Sequence, residues 1–153
     1  MVIQIDTREK SRAIKKILEY FDEKRITYYS SKLYVGDFVS LDNSRLVIDR
    51  KQNLGELCSN ICQQHERFKA ELIRAMQANI KLIILCEHGP DIKTLEDVIF
   101  WNNPRLSKSP RATTGMQLYK SLCTIRDRYN VRFEFCSKTE TGRKIAEILE
   151  NDS

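Results

Sequence analysis

The run KLIILCE, Lys81 to Glu87, constrains the fold more than any other segment. It is continuous, apolar and too short for a helix. Such a run reads as a central strand covered on both faces. The flanking sequence supplies the covers. Ile14, Ile17, Leu18 and Phe21 recur at helical spacing over residues 10–24. Residues 53–78 read as two helices broken near Gln63, the second carrying Phe68, Leu72, Ile73 and Met76 as an apolar stripe. A helix over 113–129 is predicted from Met116, Leu118, Tyr119, Leu122 and Ile125. A last one, carrying Ile145, Ile148 and Leu149, follows Ser137 and Glu140, which have the spacing of a capping box.

The remaining strands are predicted at 2–6 (VIQID), around 26–33, and at 131–135 (VRFEF). Between them YVGDFVSLDNSRLVIDRK reads as a hairpin, with Asp42-Asn43-Ser44 as its turn chemistry. Residues 88–112 read as a polar, mobile loop with Arg105, Lys108 and Arg111. The whole is α/β: one mixed sheet flanked by helices on both faces.

At 153 residues the chain suits one domain that needs no staples. Its 26 Lys and Arg against 21 Asp and Glu give a formal charge of +5, which helps approach to polyanions but does not establish it. Five cysteines without a CxxC pair, and two histidines, give no zinc constellation. Cys86 reads as a buried thiol, and Cys58 and Cys62 as two reduced thiols one helical turn apart. MVIQIDTREK is no signal peptide, and no segment reaches the ~20 apolar residues of a membrane span. These features predict a reducing, cytoplasmic setting with no membrane partner.

Three acids sit on predicted strands: Asp6 closes the first, Asp37 opens the hairpin, and Asp49 lies in its second arm. Alternation in Asp49-Arg50-Lys51 puts Asp49 and Lys51 on one face and Arg50 on the other. Such a pair can be a structural ion pair. It can also be half of a site for phosphodiester hydrolysis, in which carboxylates hold a hard cation and a lysine orients water or stabilises developing charge. Alone, D…DxK favours the ion pair. A hairpin turning through Asn43 and Ser44 alone would set Asp37 opposite Arg50, on the wrong face. The site needs a three-residue turn or a bulge, for which Gly36 is a candidate.

Several blocks together, however, are specific. IDTRE at 5–9, VGDF at 35–38 and VIDRK at 47–51 resemble the three blocks of the XPF-type nuclease domain, found in structure-selective endonucleases such as XPF and archaeal Hef. QQHERFKAELIRA at 63–75 and KLIILCEHG at 81–89 resemble the family's next helix and strand. The resemblance implies a restriction-endonuclease-like fold of the PD-(D/E)xK superfamily and a DNA endonuclease acting at flaps or branches. It implies Mg²⁺ or Mn²⁺ as cofactor and places the chain in DNA repair or recombination.

Carried over by position, Asp37 and Asp49 would hold the metal and Lys51 would be the catalytic lysine. Asp6 and Glu9 would complete the acidic cluster. Arg8 and Arg50 would orient acids or meet phosphate, and Gln64 and Arg67 would line the site's edge. Arg50 reads equally as a partner for a helix on the opposite face. Glu87, at a strand end, is a weaker candidate. His65 and His88 read as surface or packing residues.

Two departures stand out. Asp49 occupies a position where the family usually has Glu, although either acid offers a carboxylate. Residues 1–153 leave no room for helix-hairpin-helix or helicase domains, which predicts a single free-standing nuclease domain of phage or prokaryotic type, paired with a second copy by family habit. The competing readings are a catalytically inactive DNA-binding or dimerisation module with the same fold, and an unrelated α/β protein whose acids form surface ion pairs.

Overall fold

The computed structural model describes residues 1–151. Its strands are β1 (Val2–Ile5), β2 (Thr27–Ser30), β3 (Phe38–Ser40), β4 (Asn43–Lys51), β5 (Lys81–Glu87) and β6 (Arg132–Cys136). Its helices are α1 (Lys15–Glu23), α2 (Leu54–Cys62), α3 (His65–Gln77), α4 (Gly115–Tyr129) and α5 (Thr141–Asn151). The strands form one mixed sheet in the order β2-β1-β3-β4-β5-β6. β3 runs antiparallel to both neighbours, and the other pairs are parallel. β5 is interior, with Leu82 to Glu87 all buried, as its unbroken apolar run requires.

Side chains alternate along β4 and β5, so the sheet carries two cores. Val39, Val47, Leu82, Ile84 and Cys86 pack beneath α2, α3 and α4. Ile3, Ile5, Phe38, Ile48, Ile83 and Leu85 pack beneath α1 and α5. Among the described residues no helix is long and apolar enough to cross a membrane.

Several expectations need correction. α1 begins at Lys15 rather than at residue 10, after a stretch of turns. In α3 the buried stripe is Phe68, Leu72 and Ala75, while Met76 is exposed; of the two residues a turn beyond Leu72, Ala75 is in closer phase with Phe68 and takes the inward place. Ser137 and Glu140 bond to each other through their side chains at 3.0 Å, and α5 starts only at Thr141. A capping box forms instead at Thr114 and Gln117, opening α4. Segment 88–112 is not a loose polar loop: Ile92, Val98, Trp101 and Asn103 are buried, and two short 3₁₀ turns, Glu96–Phe100 and Pro104–Ser107, shape it.

The hairpin resolves the face problem in an unexpected place. It turns through Leu41 and Asp42, and Ser40 pairs with Asn43. Val39, however, pairs with Val47. The register therefore slips between Val39 and Ser40, leaving Ser44, Arg45 and Leu46 without partners on β3. Extending the inner register, Phe38 with Ile48, sets Asp37 across from Asp49.

Gly36 is not the bulge. It has φ +72°, and a Cβ there would lie 2.4 Å from Val47 Cγ1 and 3.1 Å from the Ile48 carbonyl oxygen. It is the tight entry that lets Asp37 N–H bond the Ile48 carbonyl at 2.8 Å. Gly36→Ala is therefore expected to destabilise the fold by about 2–3 kcal/mol, combining left-handed strain with overpacking. Urea unfolding would measure it.

Candidate active site

Below the C-terminal end of β4, on the α2–α3 side, lies a cleft of about 220 Å³. The bend just before β3 supplies Asp37, β4 supplies Asp49 and Lys51, the β1–α1 connection supplies Arg8, and the α2–α3 segment supplies a polar stripe. The stripe is Asn60 from α2, Gln64 at the start of α3, and Arg67 and Glu71 within α3, four residues apart on one side of that helix.

Asp37 and Asp49 face the same way. Asp49 is buried. Asp37 keeps some exposure at the cleft, but its carboxyl is densely surrounded. Burial, and then the Asp49 carboxylate beside it, hold its pKa well above the ordinary value; the Arg50 backbone N–H, donating to Asp37 Oδ2 at 2.8 Å, only partly opposes this.

Lys51 Nζ lies 3.2 Å from Asp49 Oδ2, and 5.4 Å from the centroid of the Phe68 ring. Burial alone would lower the lysine's pKa, but the Asp49 charge more than offsets it and the ammonium is held. The Asp49–Lys51 contact is an ion pair without hydrogen-bond direction, and Asp49 Oδ2 is buried with no hydrogen bond.

Two carboxyls side by side in a cleft, one held well above its ordinary pKa by burial and by the other's charge, fit a hard divalent cation. Among the described residues His, Cys, Asp and Glu nowhere gather in threes around one point. A cation here would take the two aspartates and fill its shell with water and phosphate oxygens, as Mg²⁺ usually does.

Not every residue assigned from sequence enters this cleft. Asp6 is fully buried: its Oδ1 accepts the Leu33 N–H at 2.8 Å, and its Oδ2 accepts the Arg8 N–H at 3.1 Å and Nε–H at 2.5 Å. Burial would raise its pKa, but those bonds outweigh it and the net shift is downward. Asp6 thus fixes the loop that presents Arg8.

Arg50 points to the α1–α5 side. Its Nε and Nη2 donate to Glu9 at 3.1 and 2.9 Å, its Nη1 pairs with Glu87, and Thr141 of α5 donates to Glu87 at 2.6 Å. Glu9 and Glu87 are therefore both engaged by Arg50 on the far face. His88 Nδ1 accepts the Leu54 N–H at 3.3 Å and packs edge-on against Trp101, a packing role.

Sequence reasoning missed Asn60 and Glu71. Burial, and then Asp49, raise the Glu71 carboxyl's pKa, with Lys51 and Arg8 opposing. The signal was present: Glu71 lies four residues after Arg67 and seven after Gln64, on the helix side already assigned to the site's edge.

Comparison with known proteins follows the same lines. The ERCC4 domain profile matches residues 5–148. The chain superposes over 99% of its length on XPF from Aeropyrum pernix, with a TM-score of 0.70 and 16% sequence identity. Against XPF from Aeropyrum pernix in complex with DNA the TM-score is 0.70 at 14% identity. The chain spans 65% and 64% of those two chains. At such identities the likeness is one of fold. No curated protein matches the sequence.

Proposed function

The chain belongs to the ERCC4 domain family and has the XPF-type nuclease fold, and from that premise we propose that it is a divalent-metal-dependent endonuclease hydrolysing DNA phosphodiester bonds. One observation carries the reading: Asp37 and Asp49 meet across neighbouring strands, in a cleft, with Lys51 against Asp49.

Asp37 and Asp49 would hold Mg²⁺ or Mn²⁺. When bound, the ion polarises the phosphate and lowers the pKa of water. Lys51 keeps its proton and is placed to stabilise charge developing on the phosphate. Arg8 and Arg67 offer guanidinium groups to non-bridging phosphate oxygens, and Gln64 and Asn60 offer amides. Glu71, a third carboxyl facing the same space, accepts hydrogen bonds from water there. Asp6 and Glu9 act as positioning residues, Asp6 through Arg8 and Glu9 through Arg50. Flap or branched substrates, and pairing with a second copy, are the family's suggestion for this domain.

The test is cleavage of labelled linear and flap DNA with Mn²⁺ and with EDTA. Cutting that needs the metal supports the reading, and binding without cutting under both conditions would favour the inactive module. A second test needs no turnover. Asp37 has a raised pKa in the fold, so the folded state holds the proton more tightly than the unfolded one. Between the unfolded value near 3.8 and the raised folded value, metal-free stability falls as pH rises. Asp37→Asn removes one of two crowded charges. It is expected to raise the melting temperature of the metal-free protein at neutral pH by about 2–4 °C, corresponding to about 1 kcal/mol. It should also abolish the rise produced by Mn²⁺, which at a hundredfold excess over Kd is worth about 2.7 kcal/mol. Differential scanning calorimetry with Mn²⁺ or EDTA reads both.

A further inference from the structure

The cleft accounts for one side of the sheet. On the other side, around the same end of β4, is a second and larger groove of about 460 Å³. Its rim carries Arg12, Lys15, Lys16 and Lys138, all exposed. Its floor holds the buried Arg50 and Glu87. The Glu87 carboxylate is already taken by Arg50 and Thr141. The four rim cations have no ion-pair or hydrogen-bond partner among the described residues. Four exposed cations around one concavity give it a positive potential that attracts an anionic ligand.

The two concavities lie on either side of the end of β4. Lys51 lines the cleft and its neighbour Gln52 lines the groove. Arg8 lines the cleft, and Arg12, on the same connection between β1 and α1, lines the groove. The path from one to the other therefore crosses the end of β4 flanked by basic side chains. We propose that this groove is a phosphate-binding track: a nucleic acid strand with one phosphate in the cleft continues over the end of β4, and the groove holds its next phosphates through Arg12, Lys15, Lys16 and Lys138. The proposal rests on the nuclease reading for the identity of the ligand, and concerns binding alone. The proposed contacts are to phosphates, which fix the strand's position without reading its sequence.

The experiment is fluorescence anisotropy with labelled single-stranded and duplex oligonucleotides, in EDTA, from about 50 to 200 mM salt, the range over which phosphate contacts dominate. The fourfold variant Arg12→Gln, Lys15→Gln, Lys16→Gln, Lys138→Gln is compared with the parent. Each duplex phosphate contact contributes about 0.9 to the slope of log affinity against log salt. The variant should lose about 2 to 4 from that slope and bind at least about tenfold more weakly at 0.1 M salt. A charge-keeping variant, Arg12→Lys with Lys15→Arg, Lys16→Arg and Lys138→Arg, should restore both.

Unchanged slope and affinity in the glutamine variant would overturn the track, and would leave the nuclease reading standing if the parent cuts DNA with Mn²⁺. A parent that binds in EDTA with the expected slope loss in the variant, but never cuts, would keep the track and overturn the nuclease reading. A parent that binds no DNA in EDTA would overturn the track. Melting temperatures of all three proteins verify that they are folded.

Discussion

Lys51→Ala is expected to slow DNA cleavage by about 10²–10³-fold at saturating Mg²⁺ or Mn²⁺, the usual loss when one preorganised charge is removed from a phosphoryl or acyl transition state. The ammonium is largely enclosed, paired with Asp49 and packed over Phe68. It therefore needs no reorganisation when negative charge grows on the phosphate. Affinity for DNA should change little, because the loss falls on the transition state, so the defect belongs in kcat rather than KM. Removing the lysine also leaves Asp37 and Asp49 facing each other without compensation. The metal-free variant should accordingly melt at a lower temperature, and added Mn²⁺ should recover more of that loss than it gives the parent. Single-turnover cleavage and calorimetry would separate the two effects. A variant that cut DNA as fast as the parent would remove the lysine from the mechanism.

Arg50→Ala is expected to destabilise the protein by about 3–5 kcal/mol, the cost typical of removing one partner from a buried ion pair. The guanidinium joins Glu9 from the β1–α1 connection to Glu87 on β5, and Glu87 is bonded in turn to Thr141 on α5. Alanine would leave two buried carboxylates without their cation. The damage should reach the cleft by one route: the Arg50 backbone N–H donates to Asp37 Oδ2, so a displaced β4 moves that hydrogen bond. Urea unfolding would give the stability loss. A doubly substituted protein, Arg50→Met with Glu9→Gln, should recover part of it by removing an orphaned charge. If the single variant unfolded at the parent's urea midpoint, Arg50 would not be the clamp described.

Much of this architecture was readable in advance, for identifiable reasons. KLIILCE, short and continuously apolar, reads as an interior strand, and β5 has those bounds. The break between α2 and α3 fell at Gln63 and Gln64, where the apolar phase fails. The two sides of Asp49-Arg50-Lys51 followed from alternation alone, and Arg50 does face the opposite helices.

What resisted reading was set at longer range. The register slip depends on how β4 pairs with β5 as well as with β3, so no count along the hairpin could place it. The destination of Glu9 depended on Arg50, forty-one positions away, being within reach on the far face. Val98, Trp101 and Asn103 were hidden in a polar stretch because their burial comes from contact with α4, where Gly115 lies so close that a Cβ would come within 2.6 Å of the Trp101 and Val98 carbonyl oxygens. Glu71 was a different kind of miss: its spacing matches Gln64 and Arg67, but its approach to the acid pair depends on how α3 packs over the end of β4.

The three β4 residues that find no partner on β3 act as slack between the hairpin tip and the acid pair. On one side of them Asn43 meets Ser40, on the other Val47 meets Val39, and Leu46, the last of the three, pairs with Lys81 of β5. Exchanging the Leu41-Asp42 tip for a longer or shorter one would therefore be absorbed before it reached Asp37 and Asp49. The hairpin can change what it presents to its surroundings while the two carboxylates keep their alignment.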